Sequence, residues 1–156
     1  MTALFIDADA CPVRDEAFRV ATRLALPVHV VSNGSRPIRP PGLPNVDMVT
    51  VPETPDAADD WIAARITQAD ICITADIPLA ARCLAAGARA LSPNGHVWTA
   101  ANIGNALAAR DLARHLRELD IPGSRHPPMT KSDRSRFLSA LDTLAQAALK
   151  PPATPR

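Results

Sequence analysis

The chain has 156 residues, 47% of them apolar and only 3% aromatic, with no Tyr and a formal net charge of +1. It is long enough for one domain with a real core, built from Ala, Leu, Ile and Val; aromatic stacking is excluded as its main means of holding single-stranded bases. Three cysteines, Cys11, Cys72 and Cys83, show no paired metal spacing, and the odd number argues for a reducing compartment rather than a disulfide scaffold. No apolar run reaches the roughly 18 residues a membrane helix needs, and no basic leader precedes the first apolar stretch. The sequence therefore predicts a soluble, cytoplasmic protein without membrane contact.

Ala3–Ile6 reads as the first strand. Pro12 then offers a favoured first helical position, and Val13, Ala17, Val20, Ala21 and Leu24 form a helical stripe. Val28–Val31 is the second strand. Ser32 to Asn45 contains four Pro and two Gly and is a loop. Val46–Val51 is the third strand, and Thr54-Pro55-Asp56 opens a helix through Trp61, Ile62 and Ile66. Ile71–Thr74 is the fourth strand. Asp76 caps a helix from Pro78 to about residue 86, which Gly87 ends. Arg89–Leu91 is a short fifth strand, and Asn94-Gly95 a turn. Asn102 to Leu119 forms a long helix, and Asp120 to Met129 a Pro/Gly loop. Thr130 with Asp133 resembles a capping box opening a last helix with Phe137, Leu138, Leu141 and Leu144. The expected architecture is a three-layer α/β domain over residues 1–149. It has a mainly parallel sheet of about five strands, flanking helices and two C-terminal helices. Residues 150–156 form a flexible Pro-rich tail.

Charge is uneven along this frame. Residues 1–100 carry eight Arg against eleven acids, and residues 101–156 carry nine Lys/Arg against five acids. An acidic front and a basic back suit a metal site beside an anion-binding surface, or solvated helix faces. Asp7 and Asp9 end an apolar strand, at the edge where open α/β sheets bind ligands. Two like charges this close resist desolvation unless a cation neutralises them. Alternatively, Asp9 caps the following helix and Asp7 meets a buried Arg. Asp56, Asp59 and Asp60 fall in the first turn of the next helix, where acids also suit the helix dipole. Asp59 can point at the sheet edge, whereas Asp60 is expected in solvent. Asp76 repeats the strand–Asp–Pro–helix logic of the opening, and helix capping alone would explain it.

Acids from separate strands delivered to one edge select Mg²⁺ or Mn²⁺ rather than Zn²⁺. The candidate metal ligands and catalytic residues are Asp7, Asp59 and Asp76, with Asp9 as a further ligand and Asp56, Asn33 and Thr74 as accessory groups. Arg36, Arg39, Arg110, Arg114, Arg117 and Arg134 are candidate phosphate contacts. Cys11, near a helix N-terminus, is a lesser candidate nucleophile. His29, His96, His115 and His126 lack metal spacing and read as surface or packing residues.

Several segments together resemble one family. Ile6-Asp7-Ala8-Asp9-Ala10-Cys11-Pro12-Val13, Asp56-Ala57-Ala58-Asp59, Ile73-Thr74-Ala75-Asp76-Ile77-Pro78-Leu79-Ala80, Asn94-Gly95, Asn102-Ile103 and Ser132-Asp133-Arg134 are similar to the YaiI/YqxD family over about residues 2–148. That family resembles PIN-like nucleases, whose sheet-edge acids hold Mg²⁺ or Mn²⁺ and cleave RNA. The resemblance implies that Asp7 is the strand-1 ligand, Asp59 the helical acid and Asp76 the strand-4 acid. Two departures stand out. The helical acid is Asp where PIN-like sites often have Glu, and Arg125-His126-Pro127-Pro128 replaces a glycine-rich stretch.

Three functions compete. The first is a metal-dependent nuclease, with RNA a better substrate than DNA. The second is a non-catalytic metal- or RNA-binding regulatory module. The third is a haloacid-dehalogenase-type phosphatase with Asp7 as nucleophile. Against the third, the signature's fifth position is Cys11, and residues 1–130 contain no Lys.

Overall fold

A computed structural model describes residues 2–35, 37–118 and 129–150. Six strands form one sheet: β1 (Leu4–Asp7), β2 (Val28–Ser32), β3 (Val46–Thr50), β4 (Ile71–Ile73), β5 (Arg89–Leu91) and β6 (Val97–Trp98), in spatial order β3-β2-β1-β4-β5-β6. The first five pair in parallel, and β6 runs antiparallel to β5. Five α-helices flank the sheet: α1 (Arg14–Arg23), α2 (Ala57–Arg65), α3 (Ile77–Ala85), α4 (Ile103–Glu118) and α5 (Lys131–Leu149). This is the expected α/β architecture with two C-terminal helices. Strand β6 is an addition to the five expected. At two residues it is too short to show an alternation, and the turn through Gly95 is what folds it back on β5: the Gly95 N–H donates to the Ser92 carbonyl at 2.9 Å.

Alternation along the strands divides the core. Leu4, Ile6, Val28, Val30, Ile71, Ile73 and Leu91 pack with Ala17, Val20 and Ala21 of α1 and with Phe137, Leu141 and Ala145 of α5. Phe5, Val31 and Cys72 face the other way, against Ile62 of α2 and Leu79 and Cys83 of α3. Asp7 follows Phe5 by two positions and Thr74 follows Cys72 by two, so both side chains belong to the α2/α3 face at the strands' carboxyl ends.

A local cap explains the start of α5. Thr130 and Asp133 form the expected capping box, each side chain accepting the other's backbone N–H at 3.0 Å. The α1 start differs from expectation: Pro12 lies before the helix, which begins at Arg14, after a one-turn 3-10 helix at Ala8–Ala10. Among the described residues, no helix is long and apolar enough to cross a membrane. All of the expected tail at 150–156 except Lys150, and most of the Pro/Gly loop, with Arg125 and His126, lie outside the described residues.

Candidate active site

The topology places β1 beside β4 at the centre of the sheet. The adjacent parallel strands therefore deliver their terminal residues to the same edge, Asp7 on one and Thr74 on the other. The Thr74 hydroxyl, fully buried, donates to Asp7 Oδ2 at 2.8 Å and accepts the Asp76 backbone N–H at 2.9 Å. Asp76 Oδ1 in turn accepts the Leu79 N–H at 3.1 Å, capping α3. Three candidate residues are thus joined in one hydrogen-bonded chain, and the capping explanation of Asp76 holds alongside its place at the edge.

Asp59 arrives from α2. It shares a helix face with Ile62, three residues on, and Ile62 is buried against the sheet. Its carboxyl lies close enough to Asp76 to hydrogen-bond once either group holds a proton. Asp56 lies just before α2 with a left-handed backbone, φ +66°, and makes no side-chain cap. Left-handed backbone is uncommon outside Gly, with Asp and Asn the usual exceptions, and costs ~1 kcal/mol or more.

Asp7, Asp9, Glu53, Asp56, Asp59 and Asp76 line one cavity of about 350 Å³, together with Asn33 and Thr54. Six carboxylates meet there, and among the described residues no Lys, Arg or His is within 4.0 Å of Asp7, Asp9, Asp56, Asp59 or Asp76. The alternative in which a buried Arg neutralises Asp7 is therefore not what folds. The Arg82 guanidinium is committed to the exposed Asp60 at 2.8 Å. Burial, then the charges of Asp76, Asp7 and Asp56, push the Asp59 carboxyl up to about 7. Burial also raises Asp7, opposed by the Thr74 hydrogen bond and reinforced by Asp76 and Asp9. The buried Asp70, at the opposite end of β4, is satisfied: it accepts from the Ala3 N–H, the Thr67 N–H and the Thr67 hydroxyl.

The other candidates divide. Asp9 accepts the Asn33 backbone N–H at 3.1 and 3.3 Å; it ties the β1 turn to the end of β2 instead of capping α1. Among the described residues, no three His, Cys, Asp or Glu side chains are grouped so that they could hold a metal ion; the acids share a cavity without forming a ligand set. Arg134 is bound to Glu16 at 3.1 Å and to the Pro12 carbonyl at 2.9 Å, which clasps α5 to the start of α1. Arg110 lies 3.9 Å from Asp111, and Arg39 and Arg114 are exposed. Arg36 and the side chain of Arg117 lie outside the described residues. Cys11 is a correction: burial raises its thiol to about 11, the reverse of the activation expected near a helix N-terminus. The phosphatase reading needs a Lys beside Asp7. The first Lys, Lys131, opens α5, which packs on the opposite face of the sheet.

The profile described as "Uncharacterized BCR, YaiI/YqxD family" matches residues 5–147. The chain belongs to the YaiI/YqxD family. A UPF0178 protein of Rhodospirillum rubrum is 56% identical over 144 residues, covering 92% of this chain and 95% of the relative. A UPF0178 protein of Paramagnetospirillum magneticum is 54% identical over 148 residues, covering 95% and 97%. One of Parvibaculum lavamentivorans is 53% identical over 152 residues, covering 97% and 99%. No solved structure matches the chain. The span that the YaiI/YqxD profile matches, residues 5–147, contains every residue named as lining the acid cavity.

Proposed function

We propose that this YaiI/YqxD protein is a divalent-metal-dependent phosphodiesterase acting on nucleic acid, RNA in preference to DNA. The observation that carries the reading is the cavity of six carboxylates without a cationic partner among the described residues. Holding such charges together is unfavourable unless a bound cation offsets the repulsion. The donor set consists of hard oxygens, which fits Mg²⁺ or Mn²⁺. Asp7, Asp59 and Asp76 would hold the ion, with Asp9 and Asp56 at the rim. When bound, the ion supplies charge neutralisation of the phosphate and acidification of water.

The chain's own groups have definable tasks. The Thr74 hydroxyl donates to Asp7 Oδ2, which would leave Oδ1 for a ligand. Asp76 is held by the Leu79 N–H through Oδ1, leaving Oδ2 for a ligand. Asp59, pushed up to about 7, would complete the ligand set or orient a water.

The test is cleavage of an end-labelled single-stranded RNA in Mg²⁺, Mn²⁺ or EDTA, with a matching DNA as control. The wild type should cut in the presence of metal, and EDTA or Asp7→Asn should reduce the rate at least ~100-fold. Binding without cutting in both metals would favour the regulatory module. Neither binding nor cutting would end the reading.

A further inference from the structure

Beside the acid cavity lies a second cleft of about 400 Å³, lined in part by Asp9, Pro12, Arg14, Pro37 and Ile38. Asp9 belongs to both spaces. Among the described residues, Arg14 is the one cation lining either of them.

Arg14 is held without being neutralised. Its Nη1 donates to the Ala8 carbonyl at 3.1 Å, which fixes the guanidinium against the 3-10 turn. A guanidinium has five N–H donors, so most of its capacity remains free. Of the neighbouring acids of α1, Glu16 is bound to Arg134, and Asp15, exposed, forms no ion pair with Arg14 and lines a different surface cleft. Asp9, the shared wall, already accepts the Asn33 N–H, which blunts its repulsion of an anion in the cleft. Pro12, Pro37 and Ile38 add apolar surface to the lining of the same cleft. A pre-positioned Arg beside apolar surface, in a space of the size used by small ligands, is chemistry for a phosphate with its attached sugar and base.

We propose that the Arg14 cleft holds the nucleotide next to the reacting phosphodiester, with Arg14 as the ligand of that nucleotide's phosphate. This deepens the phosphodiesterase reading and rests on it. The substrate is then a single strand, running from the Arg14 cleft past Asp9 into the acid cavity. Pro and Ile side chains offer no hydrogen bonds to base edges, so recognition here is independent of sequence.

The test combines two readouts. In steady-state cleavage of labelled single-stranded RNA, Arg14→Ala should raise KM about tenfold and leave kcat within about threefold, because phosphate binding away from the reacting atoms is lost. Arg14→Lys should recover part of the loss. In the cleavage-silent Asp7→Asn background with Mg²⁺, anisotropy titrations at several salt concentrations should show weaker binding for Arg14→Ala. The slope of log K against log salt should fall by about 0.7, one contact's worth on a single strand. A merely structural Arg14 would lower Tm and leave that slope unchanged. Unchanged KM, affinity and salt slope in Arg14→Ala would overturn the inference while leaving the acid cavity standing. If the wild type cuts nothing but the Arg14-dependent salt slope is present, the cleft stands and the hydrolytic reading falls.

Discussion

Replacing Asp59 by Asn should stabilise the metal-free protein. In the folded state burial and three neighbouring acids raise the Asp59 carboxyl from 3.8 to about 7. A group raised on folding contributes stability below its unfolded pKa, and that contribution is lost as pH rises through the folded value. Wild-type stability in EDTA should therefore decline between about pH 4 and pH 7 through this residue. Taken at face value, ~1.36 kcal/mol for each tenfold change in acidity gives about 4 kcal/mol. Asp59 is only half-buried, and solvent screening reduces this to ~1–2 kcal/mol. For a chain of this size that corresponds to about 3–6 °C in Tm. Asp59→Asn removes the charge at nearly constant shape. Its Tm in EDTA should exceed the wild type's by that amount at pH 8, and the gap should shrink toward zero near pH 4. Saturating Mn²⁺ should narrow or reverse it, since binding at 100 times Kd adds about 2.7 kcal/mol to the wild type. Scanning calorimetry at both pH values, with and without metal, reads all four quantities. A variant less stable than wild type at pH 8 in EDTA would refute the electrostatic reasoning.

Three further outcomes follow from individual contacts. Gly95→Ala should destabilise by about 2 kcal/mol or more, because its Cβ would stand 2.7 Å from the Arg136 carbonyl carbon and 2.9 Å from the Phe137 nitrogen at φ +91°; a urea midpoint equal to wild type would contradict this. Thr74→Val keeps the volume but strips Asp7 of its donor and the Asp76 N–H of its acceptor, costing about 1–3 kcal/mol in chemical denaturation; a change below about 0.3 kcal/mol would show the hydroxyl to be idle. Cys11, buried and raised to about 11, should resist iodoacetamide at pH 8 in the native protein and react in urea; equal native and denatured rates would show the thiol to be accessible.

The apolar strands were readable because a central parallel strand is buried on both faces, which leaves runs such as Leu4–Ile6 and Ile71–Ile73 almost free of polar residues. The same logic exposed Asp7 and Asp76, since a carboxylate directly ending such a run is conspicuous. Asp59 was open to two readings, because acids in a first helical turn also suit the helix dipole; its place on the buried face of Ile62 comes from the fold. Other features depend on contacts that no local pattern carries. Strand β6 is two residues long and is made by the Gly95 turn. The burial of Cys11 follows from how the β1 turn packs, which reverses the effect expected of a nearby helix N-terminus. Arg134 looked like a phosphate contact because its partner, Glu16, is 118 residues away. Arg14 passed unnoticed for the complementary reason: only the fold shows that Glu16 is taken by Arg134 and that Arg14 lines a cleft.

The claim that these acids form a cation site is tested most directly by titrating Mn²⁺ into the protein and following the loss of the free-ion electron paramagnetic resonance signal. Wild type should bind Mn²⁺ saturably, and Mg²⁺ should compete. Asp7→Asn and Asp76→Asn should each weaken binding at least ~10-fold while remaining folded. Equal Mn²⁺ binding by wild type and both variants would place any ion elsewhere and contradict the account.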